Sequence, residues 1–161
     1  KGVEDFCEIA KINNNKNYKF IFLGDYRDEK NYNYIIKKYG NYVSFPGTRK
    51  DINNFYKSAD IFLFLSHRES AGIVLMEAMQ FSLPLIGWDI IGVNEIIKNN
   101  YNGFILKFGK LNDVYNQLTK ILSDNSLYKT LSNNAKIDFE NYSIEKNVER
   151  LIKIYKSDNI E

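Results

Sequence analysis

Apolar residues occur along this chain in two patterns, short continuous runs and stripes at helical spacing. Short runs are typical of strands buried on both faces of a parallel sheet, whereas stripes with a helical period indicate amphipathic helices. The runs predict strands at residues 18–23, 43–45, 61–65, 83–87 and 103–106. The stripes predict helices that begin near residues 3, 29, 51, 72, 111, 127 and 143, with a further turn or two of helix over 93–98.

Strands and helices alternate up to residue 106, and only helices follow. Strands that alternate with helices form parallel sheets, so this order predicts an α/β fold. We expect residues 1–161 to form one domain, a doubly wound, Rossmann-like parallel sheet with helices on both faces and extra C-terminal helices. Gly40 is predicted to end the second helix, and Asp51 and Ser143 to cap the third and the last.

The segment 60–80, DIFLFLSHRESAGIVLMEAMQ, contains the strongest indication of function. A buried strand leads into a polar loop, and Gly72 then begins an apolar helix. In an open α/β sheet, ligands bind at the carboxyl ends of strands, and the free N–H groups of a helix start attract phosphate. Two carboxylates bracket this helix start, Glu69 in the loop and Glu77 inside the helix. Burial of Glu77 is costly without a hydrogen-bond donor, and we expect a sugar hydroxyl to supply one.

Composition and charge exclude several classes of function. The net charge is +2, from 22 basic and 20 acidic residues, which gives no broad basic field for nucleic acid. Cys7 is the single cysteine and is predicted to be a buried core residue, and no apolar run is long enough to span a bilayer. We therefore expect a cytoplasmic protein. The chain opens on Lys1-Gly2 without an initiator Met, and we expect a fragment of a longer protein.

Cofactor and metal motifs are also missing from the sequence. No Cys/His cluster has the spacing of a metal site, and no Asp-x-Asp pair occurs. The turn at Gly24-Asp25 does not extend to the three-glycine fingerprint of dinucleotide-binding enzymes. We therefore predict metal independence and no bound cofactor.

Short motifs follow one another along nearly the whole chain. They are Lys1-Gly2, Phe22-Leu23-Gly24, Val43-x-Phe45-x-Gly47, Ser58-Ala59-Asp60, Glu69-x-x-Gly72, Glu77-Ala78-Met79, Pro84, Gly92-x-x-Glu95, Asn102-Gly103 and Asn134-Ala135. Each is weak alone, but their order and spacing resemble the C-terminal, donor-binding half of the retaining GT-B glycosyltransferases called glycosyl transferases group 1. Ser70-Ala71 and Ile91 depart from that family, which often has Gly-Phe and glycine at these places.

The resemblance implies that residues 1–161 are the nucleotide-sugar-binding domain, one half of a GT-B fold, and that the N-terminal acceptor domain lies outside this sequence. The whole enzyme would move a hexose from a UDP- or GDP-linked donor to a lipid-linked or saccharide acceptor in glycan biosynthesis. Peripheral association with the membrane through the missing domain is compatible with this function. The fragment alone is expected to be inactive.

The resemblance also implies roles for individual residues. Glu69 would contact the donor sugar and Lys1 would neutralise the diphosphate, which makes these two the catalytic candidates, while Glu77 would bind the ribose. The base would lie near the loop after the second strand, close to the end of the first. The remaining donor-binding candidates are Ser70, Ala71, Gly72, Ile73, Val74, Gly24, Asp25, Phe45, Pro46, Gly47 and Thr48.

Four other residues have competing interpretations. His67 is interpreted as a loop hydrogen-bonding residue rather than a catalytic base, because no nucleophile or second metal ligand accompanies it. Arg68 is interpreted as an exposed loop residue rather than a phosphate contact, and Trp88 as a cap on the core rather than a sugar platform. Glu95, in a short helix near the same edge, is a weaker candidate for substrate contact.

Two alternatives to a transferase remain open at this point. A non-catalytic nucleotide- or sugar-binding module would keep the same fold without chemistry. A GT-B-like sugar-nucleotide epimerase would need acid and base side chains in its cleft, and Glu69 and His67 are few candidates for those roles.

Overall fold

The computed structural model describes residues 2–24, 29–142 and 144–157. Within these ranges it contains seven helices and five strands. In chain order they are α1 Val3–Ile12, β1 Phe20–Leu23, α2 Glu29–Tyr39, β2 Val43–Gly47, α3 Ile52–Ser58, β3 Phe62–Phe64, α4 Ile73–Gln80, β4 Leu85–Trp88, β5 Gly103–Leu106, α5 Leu111–Ser123, α6 Asn125–Asn141 and α7 Ile144–Ser157. The short helix predicted over 93–98 is wrong, because residues 91–96 form successive turns and Glu95 lies among them.

Every paired strand in the described residues runs parallel to its neighbour, as predicted. The strands form a two-stranded sheet, β1-β2, and a three-stranded sheet in the order β3-β4-β5. Leu23 lies opposite Gly47 in the first sheet, and Phe64 lies opposite Gly87 in the second. The α/β class is therefore confirmed. The hydrogen-bonded strands form two separate parallel sheets rather than one.

The two faces of the three-stranded sheet belong to different hydrophobic clusters. Leu63 and Ile86 pack in a first cluster, whereas Phe64 and Leu85 pack in a second. Because successive side chains of a strand point to opposite faces, this division confirms helices on both faces. The first cluster takes in α1, α2 and α5 and extends to β1 and β2, and the second takes in α3 and α4. Cys7 lies fully buried in the first cluster, and burial raises the pKa of its thiol to about 12, so it is an inert core residue.

The close contact between β4 and β5 requires a glycine. A Cβ atom on Gly103 would lie 2.2 Å from the carbonyl oxygen of Leu85 on the neighbouring strand. Any side chain there would force the two backbones apart.

A buried polar network ties α6 to the segment between β4 and β5. Asp138 is 2% exposed, and its Oδ2 accepts a hydrogen bond of 2.9 Å from Nδ2 of the fully buried Asn102. Its Oδ1 accepts a bond of 2.6 Å from Nζ of Lys98, and this hydrogen bond raises the pKa of the lysine ammonium. The network satisfies groups that would be costly to bury alone.

The predicted helix boundaries have mixed outcomes. Asp51 precedes α3 but makes no side-chain cap, because its carboxylate pairs with Arg49 at 2.9 Å instead, so that prediction is wrong. Gly40 follows the last residue of α2 as predicted. Ser143 lies outside the described residues. Asp124 provides a cap that was not predicted, since its carboxylate accepts two backbone N–H groups at the start of α6.

None of the helices in the described part of the chain is both long enough and apolar enough to cross a lipid bilayer.

Replacement of Asp138 by alanine is expected to lower the free energy of unfolding by about 2–3 kcal/mol. The reason is that Asn102 loses its carboxylate acceptor in a site that water does not reach. Urea denaturation followed by circular dichroism measures the change.

The matched control is Glu140→Ala, which removes an exposed carboxylate from the same helix. It is expected to change the free energy of unfolding by less than about 0.5 kcal/mol. Equal effects of the two substitutions would show that the Asp138 network contributes little.

Candidate functional site

The start of α1 lies against the end of β3. Gly2 has a φ of 72°, and a Cβ atom there would lie 1.6 Å from the carbonyl oxygen of Leu65. Only glycine fits this contact, which fixes the start of the chain next to the polar loop at residues 66–71. Lys1 lies outside the described residues, so its role at the diphosphate stays a prediction.

The loop after β3 is stabilised by hydrogen bonds within itself. Ser66 Oγ donates to the carbonyl of Arg68 at 2.9 Å. Oε1 of Glu69 accepts the backbone N–H groups of Ser70 at 2.9 Å and Ala71 at 3.3 Å. The carboxylate predicted to meet the sugar therefore lies at the loop backbone, immediately before α4.

The N-terminus of α4 has no capping side chain. Its N-cap is Gly72, which is buried, has a φ of 55° and provides no capping side chain. A Cβ atom on Gly72 would lie 2.7 Å from Cδ1 of Ile96, a side-chain end that can move, so the positive φ is the main reason for glycine here. Ile73 is 60% exposed and Val74 is half-buried. The first backbone N–H groups of the helix can therefore bind an anion such as phosphate.

Glu77 has a protein partner that the sequence analysis missed. Tyr56 on α3 donates its hydroxyl hydrogen bond to Oε2 of Glu77 at 2.9 Å. Tyr56 is buried and stacks on Phe81 with ring centroids 5.4 Å apart. Burial, and then the hydrogen bond to Glu77, raise the pKa of the tyrosine hydroxyl. This carboxylate therefore has a donor within the chain, which no local motif around Tyr56 indicates, and the sugar hydroxyl stays a prediction.

The other predicted donor-binding residues lie where β1 and β2 end. Gly24 donates its N–H to the carbonyl of Gly47 at 3.2 Å, and both have positive φ. The ring of Phe45 packs against Phe22, with centroids 6.2 Å apart, so part of it belongs to the core. Pro46 is half-buried and Thr48 is exposed, while Asp25 lies outside the described residues.

A cavity of about 360 Å³ opens beside the Glu69 loop, lined by His67, Arg68, Glu69, Ile90 and Ile91. Ile91, which replaces a glycine frequent in the resembling family, is 84% exposed at its edge. The neighbouring Gly92 lies under the loop, since a Cβ atom there would be 2.9 Å from the carbonyl oxygen of Glu69. A second cavity, of about 390 Å³, lies between α1 and α5 and touches none of the predicted site residues.

The structure bears on two of the competing interpretations. His67 forms a hydrogen bond with Asp5 at 2.9 Å, as expected for a loop residue, and Trp88 is fully buried in the core. Glu95 is exposed and its carbonyl accepts from Tyr142. In the described part of the chain, no group of three or more His, Cys, Asp or Glu side chains could hold a metal ion. Metal independence stays a prediction.

Residues 1–138 match the family model described as Glycosyl transferases group 1. The chain belongs to this family. Its relatives include N-acetyl-alpha-D-glucosaminyl L-malate synthase of Bacillus anthracis, 28% identical over 159 residues that cover 96% of this chain and 42% of the relative. They also include the Escherichia coli UDP-Gal:alpha-D-GlcNAc-diphosphoundecaprenol alpha-1,3-galactosyltransferase, 29% identical over 161 residues that cover 93% of this chain and 41% of the relative. This chain spans about two fifths of the length of both curated relatives.

The fold of this group 1 glycosyltransferase chain is similar to that of Anabaena Alr3699/HepE, solved in complex with UDP-glucose. The TM-score is 0.82 and the identity is 23%, over 98% of this chain and 45% of that chain. This likeness confirms the predicted half of a GT-B fold.

Replacement of Tyr56 by phenylalanine is expected to lower the free energy of unfolding by about 2 kcal/mol at neutral pH, because Glu77 loses a donor. At alkaline pH the folded chain holds the Tyr56 proton that the unfolded chain releases, since the pKa of Tyr56 is raised above its ordinary value of 10.0. Stability should therefore fall as the pH rises above 10, and less steeply in the variant. Urea denaturation at several pH values measures both effects.

The control is Tyr42→Phe, because Tyr42 is 46% exposed. It is expected to retain the stability of the wild type at neutral pH. Identical pH slopes for the wild type and Tyr56→Phe would contradict the assignment of Tyr56 as a buried donor to Glu77.

Proposed function

We propose that this chain is the nucleotide-sugar-binding, C-terminal domain of a retaining glycosyltransferase. The whole protein would move a hexose from a UDP- or GDP-linked donor to a lipid-linked or saccharide acceptor. The observation that carries the proposal is the uncapped N-terminus of α4 between the carboxylates of Glu69 and Glu77, in a chain of this family.

The nucleotide half of the donor would bind at Glu77. Tyr56 holds Oε2 of this carboxylate, which leaves Oε1 to accept from the ribose hydroxyls. Because the Tyr56 ring is fixed by stacking on Phe81, the carboxylate is held in one orientation before the ligand arrives. A carboxylate that is already oriented loses little side-chain entropy on binding.

The diphosphate and sugar would bind at the loop and at the start of α4. The N–H groups that follow Gly72 would donate to the diphosphate, and the partial positive charge of the helix start favours that anion. Sugar hydroxyls would donate to Glu69, in competition with the two loop amides that its Oε1 accepts. Lys1 would add a positive charge near the diphosphate.

The reaction would proceed on the face from which the diphosphate leaves. The acceptor oxygen would bond to the anomeric carbon as the bond from that carbon to the diphosphate breaks. The departing phosphate would take the acceptor proton, so the products are a glycoside and a nucleoside diphosphate. Lys1 and the α4 amides would stabilise the charge that develops on the leaving group.

Relatives support the choice of partners. The Escherichia coli relative is named for a UDP-Gal donor and a diphosphoundecaprenol-linked acceptor, and the Anabaena structure contains UDP-glucose. The remaining length of the relatives would correspond to an N-terminal acceptor domain. We propose a cytoplasmic donor, no bound metal or cofactor, and peripheral membrane contact through that other domain.

Titration of this chain with millimolar UDP or GDP is expected to shift the backbone amide NMR signals of Gly72, Ile73 and Glu77. Glu77→Gln should weaken binding by about tenfold, because the ribose loses a charged acceptor. Amide shifts followed over the titration give both dissociation constants.

Glu140→Gln is the matched control, since it removes an exposed carboxylate on α6 that is not among the proposed donor-binding residues. Its dissociation constant should equal that of the wild type. If neither nucleotide shifted the signals of α4, the proposed nucleotide site would be wrong.

In the full-length protein, Glu69→Gln is expected to reduce sugar transfer by about a hundredfold while nucleotide affinity stays unchanged. The physical reason is that Glu69 would act on the sugar and Glu77 on the ribose. Release of nucleoside diphosphate in the presence of acceptor measures the transfer rate, and circular dichroism checks the fold.

Turnover that Glu69→Gln leaves unchanged would exclude Glu69 from the sugar site. A full-length protein that binds nucleotide but transfers no sugar would instead favour the non-catalytic binding module.

A further inference from the structure

A single carboxylate connects α1 with the ends of two strands. Oδ2 of Asp5 accepts the indole N–H of Trp88 at 3.1 Å and lies 2.9 Å from Nε2 of His67. Trp88 is the last residue of β4 and is fully buried, whereas His67 lies in the loop after β3 with its side chain 47% exposed. The Asp5 side chain is 22% exposed.

An aromatic ring covers this contact. Phe108, which follows β5, meets the His67 ring edge-on at a centroid distance of 4.9 Å. It also lies 5.7 Å from the Trp88 ring. Asp5 and Phe108 together therefore link the carboxyl end of β4 with the segments that follow its two neighbours, β3 and β5.

The chemistry of the three polar groups fixes the direction of the hydrogen bonds. An indole N–H can only donate, and an ionised carboxylate can only accept. Nε2 of His67 must therefore carry the hydrogen that it shares with Asp5, and the ring is held in that tautomer. Bonds to an ionised acceptor are stronger than neutral ones, so this contact restrains the loop although the His67 side chain is 47% exposed.

The contact bears directly on Glu69. His67 stands two positions before Glu69 and lines the same cavity. Backbone contacts also join the loop to α1 and to the segment after β4, through Gly2 below Leu65 and Gly92 below Glu69. Asp5 and His67 add a side-chain link between these two backbone contacts.

We propose that Asp5 is a positioning residue which, through His67 and Trp88, holds the 66–70 loop so that Glu69 meets the sugar half of the donor. The inference rests on the proposed function. Trp88 belongs to the first hydrophobic cluster, whereas Tyr56, the partner of Glu77, belongs to the second. Loss of the Asp5 contact should therefore affect the sugar and spare the nucleotide.

The test uses the full-length protein and isothermal titration calorimetry. UDP-glucose, UDP-galactose, UDP-N-acetylglucosamine and GDP-mannose are compared with free UDP and GDP, and the donor that the wild type binds most tightly is kept. Asp5→Asn should raise the dissociation constant of that donor by about fivefold to tenfold. The dissociation constant of the free nucleoside diphosphate should change by less than about twofold.

Glu4→Gln is the matched control, because Glu4 is exposed in the same first turn of α1 and its loss changes the helix charge equally. It should alter neither constant. His67→Gln keeps an N–H donor for Asp5 and should stay close to the wild type, whereas His67→Leu should reproduce the effect of Asp5→Asn. If Asp5→Asn fails to fold, the donor affinities of His67→Gln and His67→Leu test the proposal instead.

Equal weakening of donor and free nucleotide by Asp5→Asn would overturn the inference, and so would a His67→Leu variant with wild-type donor affinity. A wild-type protein that binds none of these nucleotides would overturn the proposed function itself, and this inference with it. If the wild type binds nucleotide but the variants do not weaken donor binding more than binding of the free nucleoside diphosphate, only the role of Asp5 is overturned.

Discussion

The close approach of three backbone segments at the end of β3 is the constraint on which the site depends. The chain must pass from β3 into α4 while α1 lies against one side of the loop and the segment after β4 lies against the other. Gly2 meets the Leu65 carbonyl and Gly92 meets the Glu69 carbonyl, at distances where any Cβ atom would collide. Rigid backbone contacts of this kind allow a short loop to present a carboxylate in one place.

The two carboxylates, Glu69 and Glu77, obtain their hydrogen-bond donors in different ways. Glu69 is satisfied locally, because its loop turns two backbone N–H groups towards it. Glu77 sits on a helix whose other residues are mostly apolar, and it depends on Tyr56 from an element 21 residues away in sequence. The first solution needs only loop geometry, whereas the second needs the tertiary fold to be complete.

The sequence predicted most of the fold because its apolar runs and stripes are regular, and the bounds of β5 agree with prediction to the residue. The segment 93–98 was predicted as a turn or two of helix, but its buried side chains, Val93, Ile96 and Ile97, pack from a segment that is mostly successive turns. Asp51 has the residue type of a cap, yet a neighbouring arginine competes for its carboxylate. Local sequence patterns predict helices and strands well, but they predict poorly which side chains compete for the same hydrogen-bonding group.

Partners that are distant in sequence explain what the sequence could not show about the site. Neither the Tyr56 hydroxyl nor the Asp5 carboxylate belongs to a motif, and each reaches the site from a helix on a different side of the three-stranded sheet. Since residues in separate clusters share few contacts, substitutions on one side should add independently to those on the other. The sheet therefore lets the supports of Glu69 change without disturbing those of Glu77.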